Sequence, residues 1–156
     1  MVFAMPQEPF VVLMAEDSEH DIRAARRVWD KNAIRNPLVV VKDGQECVDY
    51  LFRQGAYSDP ASAPRPGVLL LDVNLPKLNG FEVLRRIKET PGLKRLPVVI
   101  LTTSSRDEDM VRSYDLGASA FMTKPVGLEK LSQALLAFNV FWELTGLPEE
   151  LIDGRI

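Results

Sequence analysis

The stretch "VLLLDVNLP", residues 68–76, decides the fold. Val68, Leu69, Leu70 and Leu71 run without a polar break into Asp72, and Pro76 prevents the run from continuing as a helix or a central strand. An unbroken apolar run of this length reads as a strand buried on both faces, the habit of parallel sheets covered by helices. A strand this greasy that ends on a carboxylate raises the question of what else reaches that end.

Similar runs lie on either side. "FVVLMA" (10–15) ends on Glu16-Asp17, "PLVVVKDG" (37–44) on Asp43-Gly44, "LPVVIL" (96–101) on Thr102-Thr103, and "SAFMT" (119–123) on Lys124-Pro125. Between them, apolar residues recur at helical spacing. Ile22, Ala25, Val28 and Trp29 follow an N-cap at Ser18, while Val48, Leu51 and Phe52 are closed by Gly55. Val83, Leu84 and Ile87 are stopped by Pro91-Gly92, Met110, Val111 and Tyr114 are closed by Gly117, and a last helix runs from about 128 to 145. Five strands alternating with five helices predict a three-layer α/β/α domain on a parallel sheet. Residues 55–67, rich in Pro, Ala and Ser, read as a surface loop, since neither flank is large enough to fold alone. One domain is expected over 1–156, with its core at 10–146 and extensions at 1–9 and 147–156.

At 156 residues the chain has room for one ordinary core. The net charge is −3, charges of both signs are spread along the chain, and no basic run suggests nucleic acid or an anionic membrane surface. No apolar run approaches the ~18 residues of a membrane span. The start, "MVFAMPQEP", lacks the basic and apolar regions of a signal peptide, so a cytoplasmic location is expected. Cys47, the only cysteine, sits in a helical apolar pattern and reads as a core residue.

Ligands of open α/β sheets bind beyond the carboxyl ends of the strands, where strand order reverses. The residues leaving those ends are Glu16, Asp17, Asp43, Asp72, Thr102, Thr103 and Lys124. If the strand order is 2-1-3-4-5, Asp17 and Asp72 become neighbours. Crowded carboxylates repel, and a hard cation such as Mg²⁺ relieves them with oxygen ligands. Lys124 adds a point charge suited to phosphate oxygens and Thr102 a hydroxyl. Any one of these groups alone reads as a solvated strand end. Together they describe a phosphoryl-transfer site with a carboxylate nucleophile.

"MAEDS", "LLLDVNLPKLNGFEVL", "VVILTTS" and "GASAFMTKPV" resemble the receiver domain of two-component response regulators, over roughly 10–138. That resemblance implies the flavodoxin-like fold and a protein that accepts a phosphoryl group from a sensor histidine kinase. It makes Asp72 the acceptor, places Mg²⁺ on Asp17, Asp72 and the backbone carbonyl of Asn74 with Glu16 as companion acid, and sets Thr102 and Lys124 against the phosphoryl group. Thr102 and Phe121 become the switch pair that remodels the face of the fourth helix, fifth strand and fifth helix. Asn74 and Ser104 become the residues that tune water attack on the acyl phosphate, and the short Ser104 predicts a long lifetime. The Lys124–Pro125 bond is expected to be cis. "SYDLGA", "TKPV", the loop before the third strand and the late "FW" are similar to the stand-alone regulators that serve bacterial phytochromes. Here Glu16 is longer than the usual companion Asp, and Phe121 has no hydroxyl.

Two other readings are weaker. A haloacid-dehalogenase-type phosphatase needs a second Asp two residues past its nucleophile, where this chain has Asn74. A constitutive interaction module with no phosphorylation leaves Asp72, Thr102 and Lys124 unexplained. The protein is therefore expected to be an acceptor that catalyses only its own phosphorylation and dephosphorylation. Output is expected through a protein contact or phosphoryl relay. His20 reads as a surface residue, because Mg²⁺ prefers oxygen. Gly80 reads as the residue that lets the chain turn sharply into the third helix.

The last helix carries two apolar stripes in projection. Leu131, Leu135, Phe138 and Trp142 form the face for the sheet, while Leu136, Val140, Leu144 and Leu147 form another on the far side. A helix on the outside of a domain needs only one such face, so the second predicts a homodimer.

Overall fold

The computed structural model describes residues 9–103 and 115–136, with side chains through Gln133. Five parallel strands form one sheet in the order β2-β1-β3-β4-β5. They are β1 (Val11–Ala15), β2 (Leu38–Val41), β3 (Pro66–Asp72), β4 (Val98–Thr102) and β5 (Ala120–Thr123). The helices are α1 (Glu19–Lys31), α2 (Gly44–Phe52), α3 (Gly80–Glu89) and a final helix, Leu128–Leu136. The expected strand order and fold are both present. The helix expected around Met110, Val111 and Tyr114, together with Ser104, Val140, Leu144 and Leu147, lies outside the described residues, as does the side chain of Leu136.

The apolar runs are explained by burial on both faces. Along β1, β3 and β4 alternate residues serve opposite layers. Leu13, Ala15, Leu69, Leu71 and Ile100 pack with Cys47, Val48 and Leu51 of α2 and Val83, Leu84 and Ile87 of α3. Val12, Met14, Val68, Leu70, Val99 and Leu101 pack with Ala25 and Trp29 of α1 and Leu131 of the final helix. Every residue of β1 and β4 is buried, so period-2 alternation has no solvent side on which to appear. Cys47 is fully buried, and burial pushes its thiol up to about 12, an inert core group.

Helix starts follow the local chemistry. Ser18, Asp43 and Asn79 each accept a backbone N–H from the first turn of α1, α2 and α3 respectively. α2 ends in left-handed Arg53 (φ 53°), not at Gly55, which instead opens a 3₁₀ turn. The 55–67 loop is pinned to α2 rather than merely solvated: Tyr50 Oη donates to the Pro64 carbonyl at 2.7 Å, Tyr57 packs edge-on against Tyr50, and Arg65 donates to the Leu51 carbonyl. β3 starts at Pro66, two positions before the apolar run, because parallel pairing with Val11 is made by backbone. At the far end from the strand tips, Trp29 Nε1–H donates to the Asn36 carbonyl at 2.8 Å and Asn36 Nδ2 to Phe10 at 3.0 Å, tying α1 to the start of β1.

Candidate phosphoryl-transfer site

Register brings the site together. Ala15 pairs with Leu71, Asp72 with Leu101, and Thr102 with Thr123. Glu16 and Asp72 therefore leave adjacent strands side by side. The Lys124 N–H donates to the Thr102 carbonyl at 2.8 Å, which fixes Lys124 one residue beyond the β4–β5 ladder. The Lys124–Pro125 bond is cis, as expected.

Glu16, Asp17 and Asp72 each bring a carboxylate oxygen within 4.8 Å of the others. Glu16 and Asp72 are buried and Asp17 is exposed, so the group opens to solvent on one side. Lys124 Nζ enters from the β5 side, 2.5 Å from Glu16 Oε1 and 2.9 Å from Asp72 Oδ2, with its side chain only 10% exposed. Glu16 Oε2 accepts the N–H groups of Asp17 and Ser18 at 3.0 and 3.2 Å. Its Oε1 is buried and has no aligned donor: the contact with Lys124 is an ion pair without hydrogen-bond geometry. Asp72 Oδ1 accepts the Asn74 N–H at 3.0 Å, which holds the carboxylate and the turn after β3 in fixed relation.

Electrostatics follow from crowding. Burial first, and then the neighbouring Asp72, push the Glu16 carboxyl up to about 7 against the pull of Lys124. Burial alone would lower the Lys124 pKa, but Glu16 and Asp72 outweigh it and hold the ammonium above the usual lysine range. An excess of carboxylate, one of them with a buried oxygen that accepts no hydrogen bond, is the donor set that a hard divalent cation satisfies.

Thr102 is buried at the tip of β4, and Phe121 is half-buried against the α2–α3 layer of the core. Two expectations are corrected. Asp43 belongs to the edge strand's exit and does not join the acidic group; it caps α2 by accepting the Glu46 N–H at 2.7 Å. Gly80 is needed for space rather than for a turn: a Cβ there would lie 2.4 Å from the Asp72 carbonyl oxygen and 2.7 Å from Val73 Cα. His20 is exposed on α1 and outside the carboxylate group. One residue that sequence reasoning missed is Asp21, whose Oδ2 accepts from Lys124 Nζ at 3.1 Å. No local pattern in the sequence marked it, since it reads as an ordinary acid in the first turn of α1.

The model of the response regulator receiver domain matches residues 12–136. The chain belongs to this family. This receiver is 40% identical over 141 residues to the response regulator Rcp1 of Synechocystis sp., covering 90% of this chain and 94% of Rcp1. The Mn²⁺-bound structure of Rcp1 has a TM-score of 0.70 over 86% of this chain and 94% of its own. The bacteriophytochrome response regulator AtBRR is 39% identical with a TM-score of 0.78, covering 87% of this chain and 96% of AtBRR. The phosphorylated cyanobacterial phytochrome response regulator RcpA is 39% identical with a TM-score of 0.70, over 85% of this chain and 93% of its own. The expected likeness to phytochrome-associated regulators therefore holds.

Proposed function

We propose that this receiver is phosphorylated on Asp72 by a sensor histidine kinase, in a Mg²⁺-dependent reaction, and signals by switching its surface. The observation that carries this is the meeting of Lys124 and Asp72 at 2.9 Å beside the Glu16–Asp17 pair. An Asp72 carboxylate oxygen attacks the phosphorus of a phosphohistidine in line. The new P–O bond forms as the P–N bond breaks, and its electron pair leaves with the imidazole. Lys124 Nζ donates to the transferring oxygens without giving up its proton, and the Thr102 hydroxyl orients them. When bound to Asp17, Asp72, the Asn74 carbonyl and Glu16, Mg²⁺ would neutralise charge on the phosphoryl group.

The acyl phosphate carries more negative charge than the carboxylate it replaces. Thr102 moves toward it, Phe121 turns into the vacated space, and the face around β5 is remodelled. Such coupling is typically worth about 1–3 kcal/mol, enough to shift populations without a change of fold. Asn74 and Ser104 set the lifetime, and a phytochrome is the kinase class suggested by the relatives AtBRR and RcpA. The chain acts as one receiver unit in the cytoplasm, working as an acceptor and not as a turnover enzyme. Among the described residues no helix is long and apolar enough to cross a membrane.

Asp17→Ala tests the paired-carboxylate site. It should weaken Mg²⁺ binding, followed by NMR shifts at Asp72 and Asn74, and slow phosphorylation in the same measure. Loss of neither would reject the metal assignment.

A further inference from the structure

We propose that Asp21 is a positioning residue for Lys124, on which the rate of phosphoryl transfer to Asp72 depends; this rests on the function proposed above. Asp21 lies in the first turn of α1, where Ser18 Oγ accepts its N–H at 3.3 Å. An acid in that turn is ordinarily a solvated partner of the helix dipole. Here the side chain is only 21% exposed, and Oδ2 accepts from Lys124 Nζ at 3.1 Å, across 103 residues of sequence.

The ammonium has three N–H donors. Three carboxylates surround it: Glu16 at 2.5 Å, Asp72 at 2.9 Å and Asp21 at 3.1 Å. Two of these belong to the reacting set. Asp72 is converted to the acyl phosphate, and Glu16 serves the cation. Asp21 alone stands on a capped helix outside that set, so it can hold Nζ in one place before and after transfer. A lysine stem has four flexible carbons and loses its aim without such an anchor.

The test is the rate of phosphorylation of the full chain by acetyl phosphate at saturating Mg²⁺. Asp21→Ala should lower the limiting rate about tenfold while moving the half-saturating acetyl phosphate concentration less than about twofold, the split expected when aim rather than binding is lost. Asp21→Asn, which still offers an oxygen to Nζ, should recover most of the rate. In a Lys124→Ala background, Asp21→Ala should change nothing further. If Asp21→Ala is unstable, Asp21→Ser, too short to reach Nζ, replaces it. A wild-type rate in either variant, or equal slowing with and without Lys124, would overturn the role of Asp21. Labelling of Asp72→Asn would instead overturn the underlying function, so the two failures are distinguishable.

Discussion

Glu16 shows how one buried carboxylate sets the pH behaviour of the site. Its folded-state pKa is raised above the ordinary 4.5 to about 7, chiefly by burial. A raised pKa means that its contribution to stability is present at low pH and is lost as pH climbs through that window, because ionisation is penalised only in the folded chain. In EDTA, wild-type melting temperature should therefore fall relative to Glu16→Gln between about pH 4.5 and 7, and the variant should bind Mg²⁺ more weakly. A constant difference in melting temperature across that range would contradict the burial argument. The acids at the strand tips were legible in sequence because each follows an apolar run directly. Asp21 was not, since contact with Lys124 is made by tertiary folding and leaves no local trace. Asp43 misled for the converse reason: leaving a strand end says nothing about lateral position in the sheet.

The elements carry the site through close backbone approach. Gly80 opens α3, and its N–H donates to the Val73 carbonyl at 3.0 Å, so the helix start lies against the residue that follows Asp72. Gly44 does the same for α2: its N–H donates to Pro76 at 3.1 Å, and a Cβ there would overlap the Leu78 carbonyl. Gly80→Ala gains about 0.4–1 kcal/mol from the lower entropy of the unfolded chain but forces a backbone shift that typically costs about 1–3 kcal/mol. It should lower the melting temperature and slow phosphorylation together, as checked by thermal denaturation and acetyl phosphate labelling. An unchanged rate would mean that α3 does not position Asp72. Strands were readable because both faces are covered, and helices because their buried residues recur at helical spacing. The tightness at Gly44 and Gly80 was not readable, since a glycine's letter does not distinguish a turn from a contact.

At the scale of the molecule, two faces matter: the strand tips, where the charge collects, and the final helix. We propose that Leu136, Val140, Leu144 and Leu147 pair two copies through a two-fold contact. Leu136→Glu with Val140→Glu should give a folded monomer by light scattering, and a wild type already monomeric, phosphorylated or not, would end that proposal. From the tuning role that the resemblance to receivers implies for Ser104, Ser104→Glu should shorten the acyl phosphate lifetime, and a longer lifetime would contradict that role. Strand order was legible only through the resemblance to receiver domains, because alternating strands and helices imply a parallel sheet but leave its order open. The proposed pairing rests on that second stripe in the sequence alone, because a symmetric partner is written in no local pattern. The central claim is tested most directly by intact mass spectrometry after incubation with Mg²⁺ and acetyl phosphate. The wild type should gain one phosphoryl group, labile in alkali, and Asp72→Asn none; an Asp72→Asn protein labelled as fully as the wild type would contradict the account.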